Sequence, residues 1–275
     1  TAVGHNAATL TVTTGVTAIG YQALATGTTA YDTVAVGQSA LTSATTGHSN
    51  VAVGFNALYA NTTGTSNVAI GNGALDSNTT ASSNTAIGKA ALGANTTGIH
   101  NTAVGTNALD AFTGTGYSTA VGSGACTSQT TGKRSVGVGY GALQDLTTGD
   151  DNVGIGVFAG QNITTSDDNT MVGNYSGNDI TTGHSNTGLG YKAGQNITTG
   201  DNNIAIGIDA LTTGSPGGDI TTQDNRIGLG DENISEFNCQ VALTVASDQR
   251  DKTDFTALDI GLDFVKQMKP YTYKW

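Results

Sequence analysis

Hydrophobic and polar positions along the chain recur with one fixed period. A four-residue pattern of β-branched, small, aliphatic and Gly ends at Gly20, Gly37, Gly54, Gly71, Gly88, Gly105, Gly122, Gly139, Gly156, Gly173, Gly190 and Gly207, each 17 residues after the last. Gly4 precedes the series by 16 residues, and Gly230 follows it by 23, so about six residues are inserted around Ser215-Pro216-Gly217-Gly218. So strict a repeat is the mark of a solenoid, in which each copy is one coil stacked on its neighbours. Numbered from that Gly, position −1 is always aliphatic and −3 is always Val, Ile or Thr. Side chains of a strand alternate, so −3 and −1 share a face, and that face is expected to point into the coil. Ala at +3 and Leu at +4, as in Ala57-Leu58 and Ala74-Leu75, should add to the interior. Asn at −4 (Asn50, Asn67, Asn84, Asn101) suits a stacked ladder, and Thr-Thr-Gly near +8 to +10 is turn chemistry.

Two irregularities refine this reading. Gly160, Gly177 and Gly194 stand at +4 in place of Leu, and the same copies carry Ile163, Ile180 and Ile197 at +7. A filler lost at one slot and regained at another implies a packed interior of fixed volume. Position −2, expected to face outward, is Ala or Gly in every copy except Met171. Smallness on an outward face implies a close neighbour, so chain-to-chain contact is expected at Ala52, Ala69, Ala86, Ala103 and Ala120. With few large apolar side chains per coil to offset the entropy of ordering it, an obligate oligomer is expected.

Composition narrows the function classes. Of 275 residues, 40 are Gly and 47 are Thr, while 6% are aromatic, too few large side chains for one thick core. Aliphatic content with only 11% charged residues excludes disorder, and Gly without a three-residue period excludes collagen. The net charge is −11 and no Lys or Arg precedes Lys89, which leaves no positive field for a nucleic-acid partner. No apolar run approaches the ~20 residues of a membrane helix, and no signal peptide is evident. The chain starts inside a motif (Thr1-Ala2-Val3-Gly4) and stops at Trp275, so it is expected to be a segment of something longer.

Candidate chemistry in the repeats is sparse. His5, His48, His100 and His184 fall at different offsets and form no metal column. Asp150-Asp151-Asn152, Asp167-Asp168-Asn169 and Asp201-Asn202-Asn203 share one turn, but Asp and Asn are ordinary turn residues and the nonapeptide of calcium β-rolls is absent. No metal or cofactor is expected. Tyr21, Phe55, Tyr140 and Tyr191 recur at +1, suited to packing on the next coil or chain, or to stacking on receptor sugars. Cys126 and Cys239 form no disulfide framework, and Cys126 takes a slot usually held by Leu. No Ser/His/Asp constellation, carboxylate cleft or phosphate loop emerges from the repeats.

Copies such as Asn67-Val68-Ala69-Ile70-Gly71 resemble the head repeats of trimeric autotransporter adhesins of the YadA type, though the period here is longer. The resemblance covers residues 1 to about 230 and implies a left-handed β-roll packed as a homotrimer. From Val241 the pattern changes. Leu258, Leu262, Val265 and Met268 follow a helical spacing, Pro270 stops it, and Tyr271 to Trp275 reads as a strand. Ser247-Asp248-Gln249-Arg250-Asp251-Lys252, then a helix, then Lys269-Pro270-Tyr271, resembles the start of the peptidase S74 intramolecular chaperone of phage tail fibres. That resemblance implies self-cleavage, with Ser247 as nucleophile, Lys252 as its base, and Asp248 and Arg250 at the other motif positions. A Ser hydroxyl needs such a base, and Lys serves once desolvation or a cationic neighbour lowers its pKa.

The fold class expected is therefore all-β. It is a β-solenoid of left-handed β-roll type over residues 1–230, homotrimeric, with a transition segment at 231–246 and a short α+β segment, the start of an S74-type domain, at 247–275. The function expected is the structural and host-contact segment of a phage tail fibre in the virion. Its partners would be two further copies, other tail proteins and a host cell-surface receptor, glycans included, with no nucleic acid and no membrane insertion. The alternatives are a bacterial surface adhesin and, ranked lower, an ice-binding solenoid.

Overall fold

In a computed structural model, residues 1–9, 14–215 and 218–238 are described, and those up to Ile234 fall in one compact unit. Fourteen short strands, from Ala2–Val3 to Ile227–Leu229, make one parallel sheet whose spatial order is the chain order. Each strand lies one coil from its neighbour and in register, with Val34 beside Val51, Ala35 beside Ala52 and Val36 beside Val53. The six-residue insertion is absorbed without loss of register, since Ile204 still pairs with Ile227 and Ala205 with Gly228. The described residues thus form an all-β solenoid of 17-residue coils, with no helix among them. The helix and strand expected within 258–275 lie outside them.

Stacking, more than any strand by itself, satisfies the backbone. The Val34 N–H donates to Asn50 O of the next coil at 2.9 Å, and the Gly37 N–H donates to Ile19 O of the previous one at 2.8 Å. The repeat Gly is required by this closeness. Gly54 has φ +135°, and a Cβ on it would stand 2.5 Å from Gly71 O. No L-residue fits there.

The facing of the strand is the reverse of the expectation. Position −2 points into the coil: Ala52, Ala69, Ala86, Ala103 and Ala120 are fully buried by their own chain, so they cannot be the chain-to-chain contact. Their smallness answers to the interior, where they meet Ala at +3 and Leu at +4, such as Ala57 and Leu58, also fully buried. Met171 belongs to the same interior and is fully buried; a Cβ on Gly188 would come within 2.9 Å of its Sδ. The aliphatics at −1 instead face outward, with Ile19, Ile70, Ile155 and Leu189 among the exposed.

The exchange between +4 and +7 is an interior one, as expected. A Cβ on Gly160 would lie 2.8 Å from Ile163 Cδ1, and one on Gly194 would lie 3.0 Å from Ile197 Cδ1. Two amide columns complete the interior. Asn67 Nδ2 donates to Asn50 Oδ1 at 3.2 Å in the −4 column, and Asn78 Nδ2 to Asn61 Oδ1 at 2.9 Å in the +7 column.

Candidate functional site

The coil presents three outward surfaces, each generated by one offset in the repeat. The first is the aliphatic stripe at −1, flanked by the partly exposed Val, Ile and Thr side chains at −3. Because the sheet is parallel and in register, these side chains stand in a straight file at the ~4.8 Å spacing of neighbouring strands. A continuous apolar file of this length is unusual on a free surface.

The second surface is the turn carrying Asp150, Asp167, His184, Asp201 and Asp224. Each side chain accepts the backbone N–H of the coil before it: Lys133 N–H to Asp150 Oδ1 at 3.0 Å, Asp150 N–H to Asp167 Oδ1 at 2.7 Å, Asp167 N–H to His184 Nδ1 at 3.0 Å, and His184 N–H to Asp201 Oδ1 at 2.7 Å. The recurrent acids are thus occupied in holding coils together. Arg134 pairs with Asp151, its Nε donating to Oδ1 at 2.6 Å, which draws the Asp151 pKa down. No cluster of His, Cys, Asp or Glu suited to a metal occurs among the described residues. The Cys126 thiol is fully buried, and burial pushes its pKa up to about 12, so it is inert.

The third surface lies just past the repeat Gly. Tyr21, Phe55, Tyr140 and Tyr191 are all exposed there, as the +1 positions on a turn allow. Tyr21 stacks on His5 at 5.5 Å, so that ring is partly engaged. Tyr140 and Tyr191 belong to a larger array that the +1 offset alone does not reveal. Tyr140 meets Phe158 at 5.1 Å, Phe158 meets Tyr175 at 5.6 Å, and Tyr175 meets Tyr191 at 6.5 Å. Phe158 and Tyr175 stand at +2, and the same offset continues through Lys192 and Asp209. Stacked backbone bonds hold these rungs: the Phe158 N–H donates to Tyr140 O at 2.9 Å, and the Asp209 N–H to Tyr191 O at 3.0 Å. Lys192 Nζ lies 5.4 Å from the centre of the Tyr191 ring.

Lys192, beside the Tyr191 ring, also lines a pocket of about 300 Å³ together with Gln195, Asn196, Asp209, Asp231 and Glu232, among others. Thr212, Thr213 and Gly214, which lead into the insertion, line it as well. Asn196 Nδ2 donates to Asp219 Oδ1 at 2.8 Å, and Thr213 Oγ1 to Asp219 Oδ2 at 3.2 Å. The insertion is plain in the sequence, and tabulating +2 as well as +1 brings Phe158, Tyr175, Lys192 and Asp209 into one line.

Ser247, Asp248, Arg250 and Lys252 lie outside the described residues, so the expected self-cleavage site has no geometry to describe. No curated protein matches the chain. Residues 247–275 match the Peptidase_S74 family, described as the chaperone of endosialidase, and the chain therefore joins a β-solenoid of 17-residue coils to the S74 pattern.

Proposed function

We propose that the solenoid is the rod of a homotrimeric phage tail fibre, carried on the virion and making contact with a host cell-surface receptor. The S74 segment that follows it would act as an intramolecular chaperone, joined at Ser247 by a self-cleavable link. The observation that carries this reading is the outward file of aliphatic side chains at −1, continuous from Val3 to Leu229. Covering such side chains is worth about 1 kcal/mol each at their half-exposed starting point, or on the order of 10 kcal/mol along the file. A second and third copy of the same chain supply a matching file at the same spacing, which few unrelated partners would. The S74 match favours a tail fibre over a bacterial adhesin. Other tail proteins would hold the rod at its ends. No turnover of substrate is proposed. The chemistry is one cleavage per chain, with the Ser247 hydroxyl as nucleophile and Lys252 as base.

The trimer is tested by sedimentation of the wild-type chain beside Ile70→Asp/Ile87→Asp and Ala69→Glu. The expected result is a mass of three chains for the wild type. The double variant should sediment as single chains, whereas Ala69→Glu should lose ordered strand signal because its carboxylate is forced into the coil. A monomeric wild type, or a trimer indifferent to the charges at Ile70 and Ile87, would overturn the reading.

A further inference from the structure

We propose that the aromatic column of Phe158, Tyr175 and Tyr191, with the pocket beyond it, binds an uncharged oligosaccharide. The proposal rests on the host-contact reading above and assigns it a site and a ligand class. Three features converge on this ligand. The column offers ring surface, with hydroxyl tips on Tyr175 and Tyr191 and Tyr191 45% exposed, and ring surfaces attract the polarised C–H faces of pyranoses. Its rungs advance by one coil, ~4.8 Å, close to the length of one pyranose unit, so consecutive sugars meet consecutive coils. At its end, hydrogen-bonding groups of both kinds converge in a concave site: the Lys192 ammonium and the Gln195 and Asn196 amides beside the carboxylates of Asp209, Asp231 and Glu232. A vicinal diol both donates and accepts, and is satisfied there.

Charge chooses among sugars. Three carboxylates face a single ammonium in the pocket, and the chain carries −11 overall, so a sialylated, sulfated or phosphorylated chain is repelled. A peptide is disfavoured as well, because the coils' backbone groups are taken up by coil-to-coil bonds and leave no sheet edge along this surface.

The experiment uses the full chain on an array of immobilised oligosaccharides, uncharged hexose and N-acetylhexosamine oligomers beside sialylated and sulfated ones. Binding to at least one uncharged class and none to the anionic ones is expected. On the bound glycan, Tyr191→Ala should weaken affinity about tenfold, Tyr191→Phe should retain most of it, and Asp209→Asn should weaken it several-fold with circular dichroism unchanged in all three. No signal from any uncharged glycan, equal signal from anionic glycans, or a Tyr191→Ala variant that binds like the wild type would overturn the proposal. Sedimentation of the same samples separates the two readings: a trimer without glycan binding sinks the site alone, and a monomer sinks the rod.

Discussion

Leu58 sits at φ +52°, in the left-handed region that leucine seldom enters. The conformation costs roughly 1–2 kcal/mol, and Leu24, Leu41, Leu75, Leu92, Leu109 and Leu143 bear it at the same offset. It persists because the tight turn aims a large side chain into a narrow interior while its N–H reaches the next coil, as Leu58 N–H does to Ala74 O at 3.0 Å. Gly160, at φ +59°, occupies that conformation without the cost. A leucine there would bear the same backbone cost as its counterparts and would also lack space, because a Cβ at Gly160 already stands 2.8 Å from Ile163 Cδ1 and 2.9 Å from Leu143 Cδ2. Gly160→Leu alone should therefore destabilise the solenoid by about 1–3 kcal/mol through overpacking. Adding Ile163→Ala should restore most of it, by recreating the Leu41 and Ala44 pairing found three turns after the start of the chain. Thermal melts of the three proteins decide the matter. A double variant no better than Gly160→Leu would mean that the two slots do not share one volume.

At the scale of a coil, the amide columns decide where the stack is strong. In the −4 column each Asn does two jobs at once: Asn84 Oδ1 accepts the Asn101 backbone N–H at 2.9 Å and its Nδ2 at 3.1 Å, while Asn84 Nδ2 donates to Gly98 O at 2.8 Å. The column is interrupted at Ser118 and Ser135, where Gln129 reaches across to Ser118 Oγ at 3.1 Å. Gln129 Oε1 and Ser135 Oγ are left buried without a partner. Asn84→Ala should accordingly cost about 2–4 kcal/mol, since it orphans groups on both sides, whereas Ser135→Ala should be neutral or stabilising by up to about 1 kcal/mol. Denaturant melts giving equal losses for the two would refute the distinction. These columns also bear on what was legible in the sequence. The period, the parallel register and the +4/+7 exchange all follow from counting. The facing did not, because alternation defines two faces and does not say which is inside. The parity was present in the residues. Asn at −4 and Ala at −2 share a face, and a ladder of amides bonding only to each other and to backbone belongs in the interior. Large aliphatics at −1 mask that clue. They face outward because a coil of 17 residues is too narrow for Ile on the strand and Leu on the opposite turn. The aromatic column was half legible for a similar reason, since the rings switch between +1 and +2 from coil to coil.

In the proposed trimer, regularity would create a difficulty that a chaperone segment at one end could resolve. Fourteen equivalent strands give the outward file a translational repeat, so three such rods packed side by side lose little when one slips by a coil. One step forfeits the contacts of a single strand in fourteen and keeps the rest. Slipped and aligned trimers are then close in free energy, and a chain that folds by stacking can be caught in either. Two intervals depart from 17 residues, the 16-residue first coil and the six-residue insertion before the last strand, and both lie at the ends of the file. A domain that aligns three chains at one end before the coils zip removes the ambiguity, which fits the S74 match directly after the solenoid. Two variants of the full-length gene product test this. Stopping the chain at Asn238 should reduce the yield of uniform trimer on refolding by several-fold and increase mixed or aggregated species, although every coil is retained. If the link is self-cleaved as proposed, the wild type should give two denatured fragments that meet beside Ser247, and Ser247→Ala should leave assembly intact and give one denatured mass. If the shortened chain refolds into uniform trimers as well as the wild type, then the rods find their register unaided, through the insertion, and the S74 segment serves some other step.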